Sequence, residues 1–174
     1  MQRISRDKSG LTIRLAADAD LPAINEMYNH YVVHSTCTWQ VEPHTPRKRK
    51  AWFLQHDARH PVTVAELGGQ IVGWGALSVF RDPHGYRHTV ENSVYVRPDS
   101  QRKGVGSAIL EDLIRRARDL GHRCIVAVIS GDQAPSLALH AEFGFAEMGR
   151  LHEVGEKFGR WLDVVFLVRK LQES

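Results

Sequence analysis

Apolar and polar positions along this chain change period repeatedly, and each change marks a new element. Residues 12–16 (TIRLA) alternate like a strand. Asp18 follows where a helix cap belongs, with Pro22 acceptable in the first turn. Leu21, Ile24, Met27, Tyr28 and Tyr31 then repeat at helical spacing until the polar stretch His34–Thr38. Thr45 and Pro46 read as the cap and first residue of a second helix carrying Trp52 and Phe53, which stops before Pro61. Val62–Leu67 and Gln70–Phe80 read as a hairpin around Gly68-Gly69, and Gly73 and Gly75 inside it suggest a bulge or a close backbone approach. After a loop over Arg81–Arg87, Thr89–Val96 is another alternating strand. Gly104 and Gly106 open a helix whose buried stripe is Val105, Ile109, Leu113, Ala117 and Leu120, with Gly121 beyond its end. Cys124–Ile129 is a continuous apolar run, the signature of a buried strand. Ala134–Phe143 reads as a helix ended by Gly144. Phe145–Leu151 and Trp161–Val168 read as two last strands on either side of an EVGEKFGR connection.

The order is β-α-α-β-β-β-α-β-α-β-β. It describes a mixed sheet with helices on its faces, an α/β class. Residues 1–174 are expected to form one domain, with its core at about 12–171. Composition agrees: 43% hydrophobic and 25% charged residues suit a globular core and exclude a disordered or collagenous chain. Cys37 and Cys124 are far apart, with no metal-ligand spacing, and read as reduced thiols of a cytoplasmic protein. No metal site is expected. No apolar run approaches the ~20 residues that span a bilayer. The opening MQRISRDKSG puts no apolar stretch behind its charges, so no secretory signal is expected. A net charge of +3 does not imply nucleic acid. The basic runs Arg47–Lys50 and Arg115, Arg116, Arg118 read as solvated helix faces, with a phosphate patch as the functional alternative.

The sharpest chemical feature is Gln101-Arg102-Lys103-Gly104-Val105-Gly106-Ser107, between a strand and a helix. The first N–H groups of a helix lack intrahelical partners, and the macrodipole adds partial positive charge there. Two glycines let such a loop curl around a pyrophosphate. Glycine needed for turn geometry alone is the structural alternative. Ala108, Ile109 and Leu110 follow instead of the third glycine of a dinucleotide fingerprint, and the GK[ST] ending of a triphosphate loop is missing.

The order Q-x-x-G-x-G after Val94-Tyr95-Val96-Arg97-Pro98-Asp99 resembles the acetyl-CoA loop of GNAT acetyltransferases. More narrowly, the chain resembles the phosphinothricin and methionine-sulfoximine N-acetyltransferase branch. The stretches that carry this are YNHY at 28–31, Ser35-Thr36 with Thr38-Trp39 and Glu42-Pro43, GYRHTVE at 85–91, Ser136 with Leu139-His140, Phe143-Gly144-Phe145, and Val154-Gly155 with KFGRWLD at 157–163. The resemblance spans about Thr12 to Leu171. It implies a mostly antiparallel central sheet with helices on both faces and a splayed strand pair that holds acetyl-CoA.

The resemblance also implies roles. Backbone groups of Val94, Tyr95 and Val96 would hold the acetyl end, and an N–H there can stabilise a developing oxyanion. Gln101 through Ser107 (Arg102, Lys103, Gly104, Val105 and Gly106 between them) would cradle the pyrophosphate, and Gln133 stands where relatives often place an asparagine against the cofactor arm. Glu91 matches the general base, which must take a proton from an ammonium before the amine can attack. His140 matches a histidine near the acyl end, able to position or to move a proton. Phe145 stands where many GNAT enzymes use a tyrosine to protonate the leaving thiolate, and phenylalanine cannot donate. Arg81 matches an arginine for the substrate carboxylate, a job suited to a guanidinium fork. Asp82, Pro83, Tyr86, Asn92 and Ser93 complete the substrate set, and Pro83 replaces a second arginine of phosphinothricin-type relatives. Tyr31 and Trp39 are further candidates for pocket walls. Relatives are homodimers, which suggests that Phe158 and Trp161 lie at or near a subunit contact.

The expected activity is acetyl transfer from acetyl-CoA to the amino group of a small amino acid or analogue. Acetylation of a protein N-terminus or a polyamine keeps the same fold, but the loop offering Arg81, His84, Arg87 and His88 is not the acidic site a polyamine needs. A non-catalytic acyl-CoA sensor predicts loss of Glu91 or the glycines, and both are present. A dinucleotide-binding oxidoreductase lacks its third glycine.

Overall fold

A computed structural model describes residues 5–6 and 10–171. Eight strands form one sheet: β1 (Ser5–Arg6), β2 (Thr12–Leu15), β3 (Val62–Leu67), β4 (Gln70–Val79), β5 (Thr89–Val96), β6 (Cys124–Ser130), β7 (Ala146–Lys157) and β8 (Arg160–Lys170). Their spatial order is β1-β2-β3-β4-β5-β6-β8-β7. Every neighbouring pair is antiparallel except β5 and β6, which the crossover helix α3 (Val105–Asp119) joins in parallel. Helices α1 (Leu21–His34) and α2 (Pro46–Phe53) cover one face of the sheet. Helices α3 and α4 (Ala134–Glu142) cover the other.

Strand alternation divides the core cleanly. Trp74 and Ala76 of β4 pack with Ile24, Met27 and Tyr28 of α1. Leu77 of β4 and Val90 of β5 pack with Ile109, Leu110 and Leu113 of α3. Gly73 and Gly75 share that second face, and they are the close approach their sequence context suggests. A Cβ on Gly75 would stand 2.5 Å from Ile109 Cγ2, and one on Gly73 would stand 2.8 Å from Ile109 Cδ1. The register also shifts between Ala65 and Glu66 of β3, opposite Gly73 and Ile71, so a bulge adjoins the close approach.

Four expectations change. The first helix does not start on an Asp18 cap: residues Asp18–Asp20 form a 3₁₀ turn, and the Asp20 carboxylate accepts from Ala17 N at 2.7 Å while bridging to Arg14. Asp20 is the better-placed acid because it reaches both a free N–H and a guanidinium. Thr45 does cap α2, accepting from Lys48 N at 3.2 Å. The basic run on α2 is not wholly solvated, since Arg49 is 1% exposed. Its guanidinium carbon lies 4.4 Å from the Tyr28 ring centre and 4.6 Å from that of Trp52, and Nε donates to Asn25 Oδ1. Aromatic faces and one amide oxygen replace the water it loses. On α3, Arg115 and Arg116 both pair with the buried Asp112. Finally, the EVGEKFGR segment is no loose connection: β7 runs through it to Lys157, and only Phe158 and Gly159 make the turn, both at positive φ.

Replacing Gly75 by alanine should push Ile109 and α3 off the sheet. Overpacking of this kind costs about 1–3 kcal/mol. Chemical denaturation should show that loss, and the far exposed turn glycine Gly69, beside which there is open space, should give a smaller one through its φ of 77° alone.

Candidate active site

Strands β5 and β6 pair only from Thr89–Glu91 to Cys124–Val126 and then part. Main-chain bonding settles what lines the gap. Arg97 N donates to Val72 O at 2.8 Å, so alternate residues Tyr95, Ser93 and Glu91 direct their amides and carbonyls to β4. Asn92, Val94 and Val96 therefore direct theirs away from β4. On the opposite wall, Leu171 N donates to Arg123 O and Gly131 N to Asp163 O. These bonds commit Ile125, Ala127 and Ile129 to β8 and leave the Val128 amide and carbonyl facing the gap. The gap thus presents strand-like donors and acceptors on both sides, and an extended amide-bearing chain can fill it.

At the wide end of the gap stands the glycine loop. Arg102 and Gly104 take positive φ, 56° and 80°, which curls the chain before α3. The first helical bond of α3 is Ala108 N to Gly104 O. The amides of Val105, Gly106 and Ser107 precede it and lack intrahelical acceptors. Gly106 lies beside Val96 and Leu139, so this helix end opens toward the gap. Lys103 is turned aside: its Nζ donates to Asp99 O at 2.8 Å. Gln101 Nε2 donates to the Tyr31 hydroxyl at 2.7 Å, and that hydroxyl in turn donates to Val96 O. Tyr31 is thus a tie between α1, the loop and the end of β5, and it occupies one of the gap's carbonyls. The residues present fit a pyrophosphate at the helix end and a pantetheine-like arm along Val94 and Val128.

At the narrow end is a cleft of about 200 Å³, lined by Cys37, Thr38, Trp39, Glu91, Asn92, Ser93, Val94, Tyr95, Gln133 and His140 among others. The two faces of β5 give it two chemistries. Asn92 points to the α4 side, where its Nδ2 donates to His140 Nε2 at 2.9 Å. His140 is 3% exposed, and its Nδ1 donates to Ser136 O at 2.8 Å. Burial lowers its pKa, so the ring is neutral, with both nitrogens engaged. A ring in that state holds Asn92 in place and has no free proton for the cleft. Glu91 points to the α1 side. Burial pushes its carboxyl up from the ordinary value, and Arg81 pulls it back in part.

The sequence-predicted set is only partly brought together. Glu91, Asn92, Ser93, Val94, Tyr95, Gln133 and His140 share the cleft. Arg81, Asp82, Pro83 and Tyr86 line a neighbouring hollow with Arg59, His60, Arg87 and His88. The influence of Arg81 on Glu91 links the two spaces. The Gln133 amide is already used, donating to Thr36 Oγ1 at 2.7 Å. Tyr95 lines the cleft and is held there by its ring, which stacks on Trp74, 4.6 Å between centres and 16° between planes. Phe145 is buried, with its ring edge-on to His140 at 5.0 Å.

Two residues that support the cleft from behind the 35–39 loop are absent from the sequence-derived set. Lys157 is 3% exposed, and its Nζ donates to Ser35 O at 2.7 Å and Thr38 O at 2.8 Å. Gly155 lies flat against Trp39, and a Cβ there would stand 2.1 Å from the indole. Both belong to β7, and together they hold the 35–39 loop over the cleft. A lysine two residues from a glycine and directly after Glu156 looks like surface. The 157–163 stretch carries family resemblance, but nothing in it marks this role for Lys157, because its partners are main-chain carbonyls.

Comparison with known proteins identifies the class. Residues 24–145 match the acetyltransferase (GNAT) family, and the chain belongs to that family. It is 42% identical to the L-amino acid N-acyltransferase MnaT of Escherichia coli over 94% of this chain and 95% of the relative. It is 41% identical to the L-methionine sulfoximine/L-methionine sulfone acetyltransferase of Salmonella typhimurium, over 94% and 96%. The yncA structure from Salmonella typhimurium, determined with its cofactor acetyl-CoA, superposes with a TM-score of 0.90 at 40% identity, covering 94% of this chain and 95% of that one. The chain is an acetyl-CoA-dependent acetyltransferase of the GNAT fold. Among the described residues no helix is long and apolar enough to cross a membrane, and no group of three metal-ligating side chains assembles.

The glycine loop should hold the co-substrate's phosphates. Gly104→Asp places a carboxylate at the helix end, against the macrodipole preference for a bound anion. Calorimetry should show CoA binding weakened by at least tenfold. The fold itself should lose only about 1 kcal/mol, the cost of a left-handed residue.

Proposed function

We propose that this enzyme acetylates the α-amino group of a small amino acid or analogue of the methionine sulfoximine or sulfone type, with Glu91 as general base. The observation that carries this reading is the placement of Glu91. It is a half-buried carboxylate on the open face of β5, three residues before Val94 on the wall of the cofactor gap and within the influence of Arg81. Relatives named for such substrates support the class of acceptor.

Acetyl-CoA supplies the acyl group as a thioester. The rest falls to this chain's own side chains. An amino acid arrives largely as an ammonium, its pKa being ~8 as an α-amine. Arg81 receives its carboxylate as an ion pair, and the hollow around it carries Arg59, Arg87 and His88, so the charge there is right for an acid. Glu91, directly or through one water, takes the ammonium proton. Burial makes it a stronger base than an exposed glutamate, which suits that transfer. Asn92, fixed by His140, keeps the opposite wall rigid. The Val94 amide faces the gap and is placed to donate to oxygen as negative charge develops. His140 acts here by position. Asp82, Pro83 and Tyr86 shape the entrance, and the missing second arginine at Pro83 favours an acceptor without the extra acidic group of phosphinothricin.

Assembly belongs to the same reading. β7 is the free edge of the sheet, and Met148, Leu151, Val154, Phe158 and Trp161 along the β7–β8 hairpin are all exposed, Trp161 at 63%. The two rings do not fold back on their own subunit. A free edge carrying this many exposed apolar side chains among its charges calls for a cover, and a second copy of the chain provides one by two-fold symmetry.

Glu91→Gln should lower turnover by ~10²–10⁴-fold while leaving acetyl-CoA binding within about twofold. Because Glu91 must be ionised to act, wild-type turnover should fall as pH drops through its raised pKa. The glutamine variant should lose that dependence and regain some rate at alkaline pH, where free amine is plentiful. Retention of wild-type turnover at neutral pH would remove Glu91 from the mechanism. Light scattering should give about twice the chain mass of 19.7 kDa, and Trp161→Glu should shift it toward the monomer.

A further inference from the structure

Glu91 faces Ser78 across the β4–β5 ladder, and the two form a hydrogen-bonded register pair. Directly opposed residues of an antiparallel pair project from the same face, with Cβ atoms ~5 Å apart. Ser78 is therefore within reach of the Glu91 carboxylate, directly or through one water. The Ser78 hydroxyl is already engaged, lying 3.0 Å from His56 Nε2. The other ring nitrogen, His56 Nδ1, lies 2.9 Å from Trp52 O.

The direction of these bonds follows from proton counting. A carbonyl can only accept, so Nδ1 carries the hydrogen that bonds Trp52. Burial lowers the His56 pKa and keeps the ring neutral, so Nε2 has a lone pair and no hydrogen. Ser78 must then donate to Nε2. A hydroxyl has one hydrogen, and this one points away from Glu91. Ser78 offers the carboxylate lone pairs alone.

We propose that His56, acting through Ser78, is a positioning residue that keeps a hydrogen-bond donor off the Glu91 carboxylate and so preserves the basicity of the general base. A hydrogen bond to an ionised carboxylate stabilises it and lowers its pKa. A serine beside a catalytic glutamate would ordinarily make such a bond. His56 takes up that hydrogen instead. Once His56 is protonated at low pH, Nε2 becomes a donor, the Ser78 hydrogen swings round, and the base weakens. The charged and titratable groups around this chain are few. Arg81, at the end of β4, and Cys37, from the 35–39 loop, share the surroundings of Glu91. Asp57, His60 and Arg49 act on His56. None of them lies on the path from His56 to Ser78 to Glu91.

The inference rests on Glu91 being the base, and the test separates the two. Single-turnover acetylation is measured at saturating substrates from acidic to mildly alkaline pH. In His56→Phe the Ser78 hydroxyl is released to Glu91. The acid limb of the rate profile should move to lower pH by roughly one unit, and the plateau should fall several-fold. Acetyl-CoA and acceptor KM values should stay within twofold. Ser78→Ala has no hydroxyl to release, so its limb should remain at the wild-type position. The double variant should match Ser78→Ala and not His56→Phe. Should His56→Phe fail to fold, His56→Ala carries the same expectation. An unmoved limb in the His56 variants, or a double variant shifted as far as His56→Phe, overturns the inference. If Glu91→Gln is inactive at the same time, the base assignment survives that result.

Discussion

The parting of β5 from β6 after Glu91 is the constraint on which the rest of the structure depends. A sheet that opens in mid-core leaves buried main-chain groups without partners, and each such group is costly unless something supplies one. This chain leaves them bare along Val94 and Val128 and closes only the outer carbonyl, at Val96, with the Tyr31 hydroxyl. The gap is therefore a strand-like template that offers donors and acceptors alike. The helix end at Gly104 then lies where a chain threaded through the gap must emerge. Binding strength comes from backbone geometry, and few side chains are needed for it.

Strand period does the remaining division of labour. Neighbours on β5 point to opposite faces, so Glu91 and Asn92, adjacent in sequence, serve different surroundings. Asn92 meets the neutral His140 in the compact layer under α4. Glu91 meets the more open space under α1, within the influence of Arg81 just beyond the end of β4. The tight approach of α3 to Gly73 and Gly75 keeps β4 and β5 flat against one layer, so this partition does not drift.

Much of this was legible in the residues. Elements with a strong period were found in place, α3 above all, because its stripe of Val105, Ile109, Leu113 and Ala117 leaves no other face to bury. The glycine loop was legible because positive φ and free amides demand glycine at a helix entrance. The EVGEKFGR stretch misled because glycines beside charged residues look like a loop. Pairing with β8 overrides that local preference. Arg49 misled because a basic run reads as solvated, and only the fold brings Tyr28, Trp52 and Trp74 around it. Lys157 and the Ser78–His56 pair were out of reach for one reason: their meaning lies in contacts between elements distant in sequence.

The grip of Lys157 on the 35–38 segment has an evolutionary consequence. The ammonium holds two carbonyls, which every residue type possesses, so the path of the loop is independent of the side chains it carries. Cys37 looks into the cleft from that path. Its replacement alters the shape offered to an acceptor while the scaffold stays where it is. A descendant of this enzyme can change its acceptor preference by exchange at position 37 without first solving a folding problem, provided that position 157 is left alone.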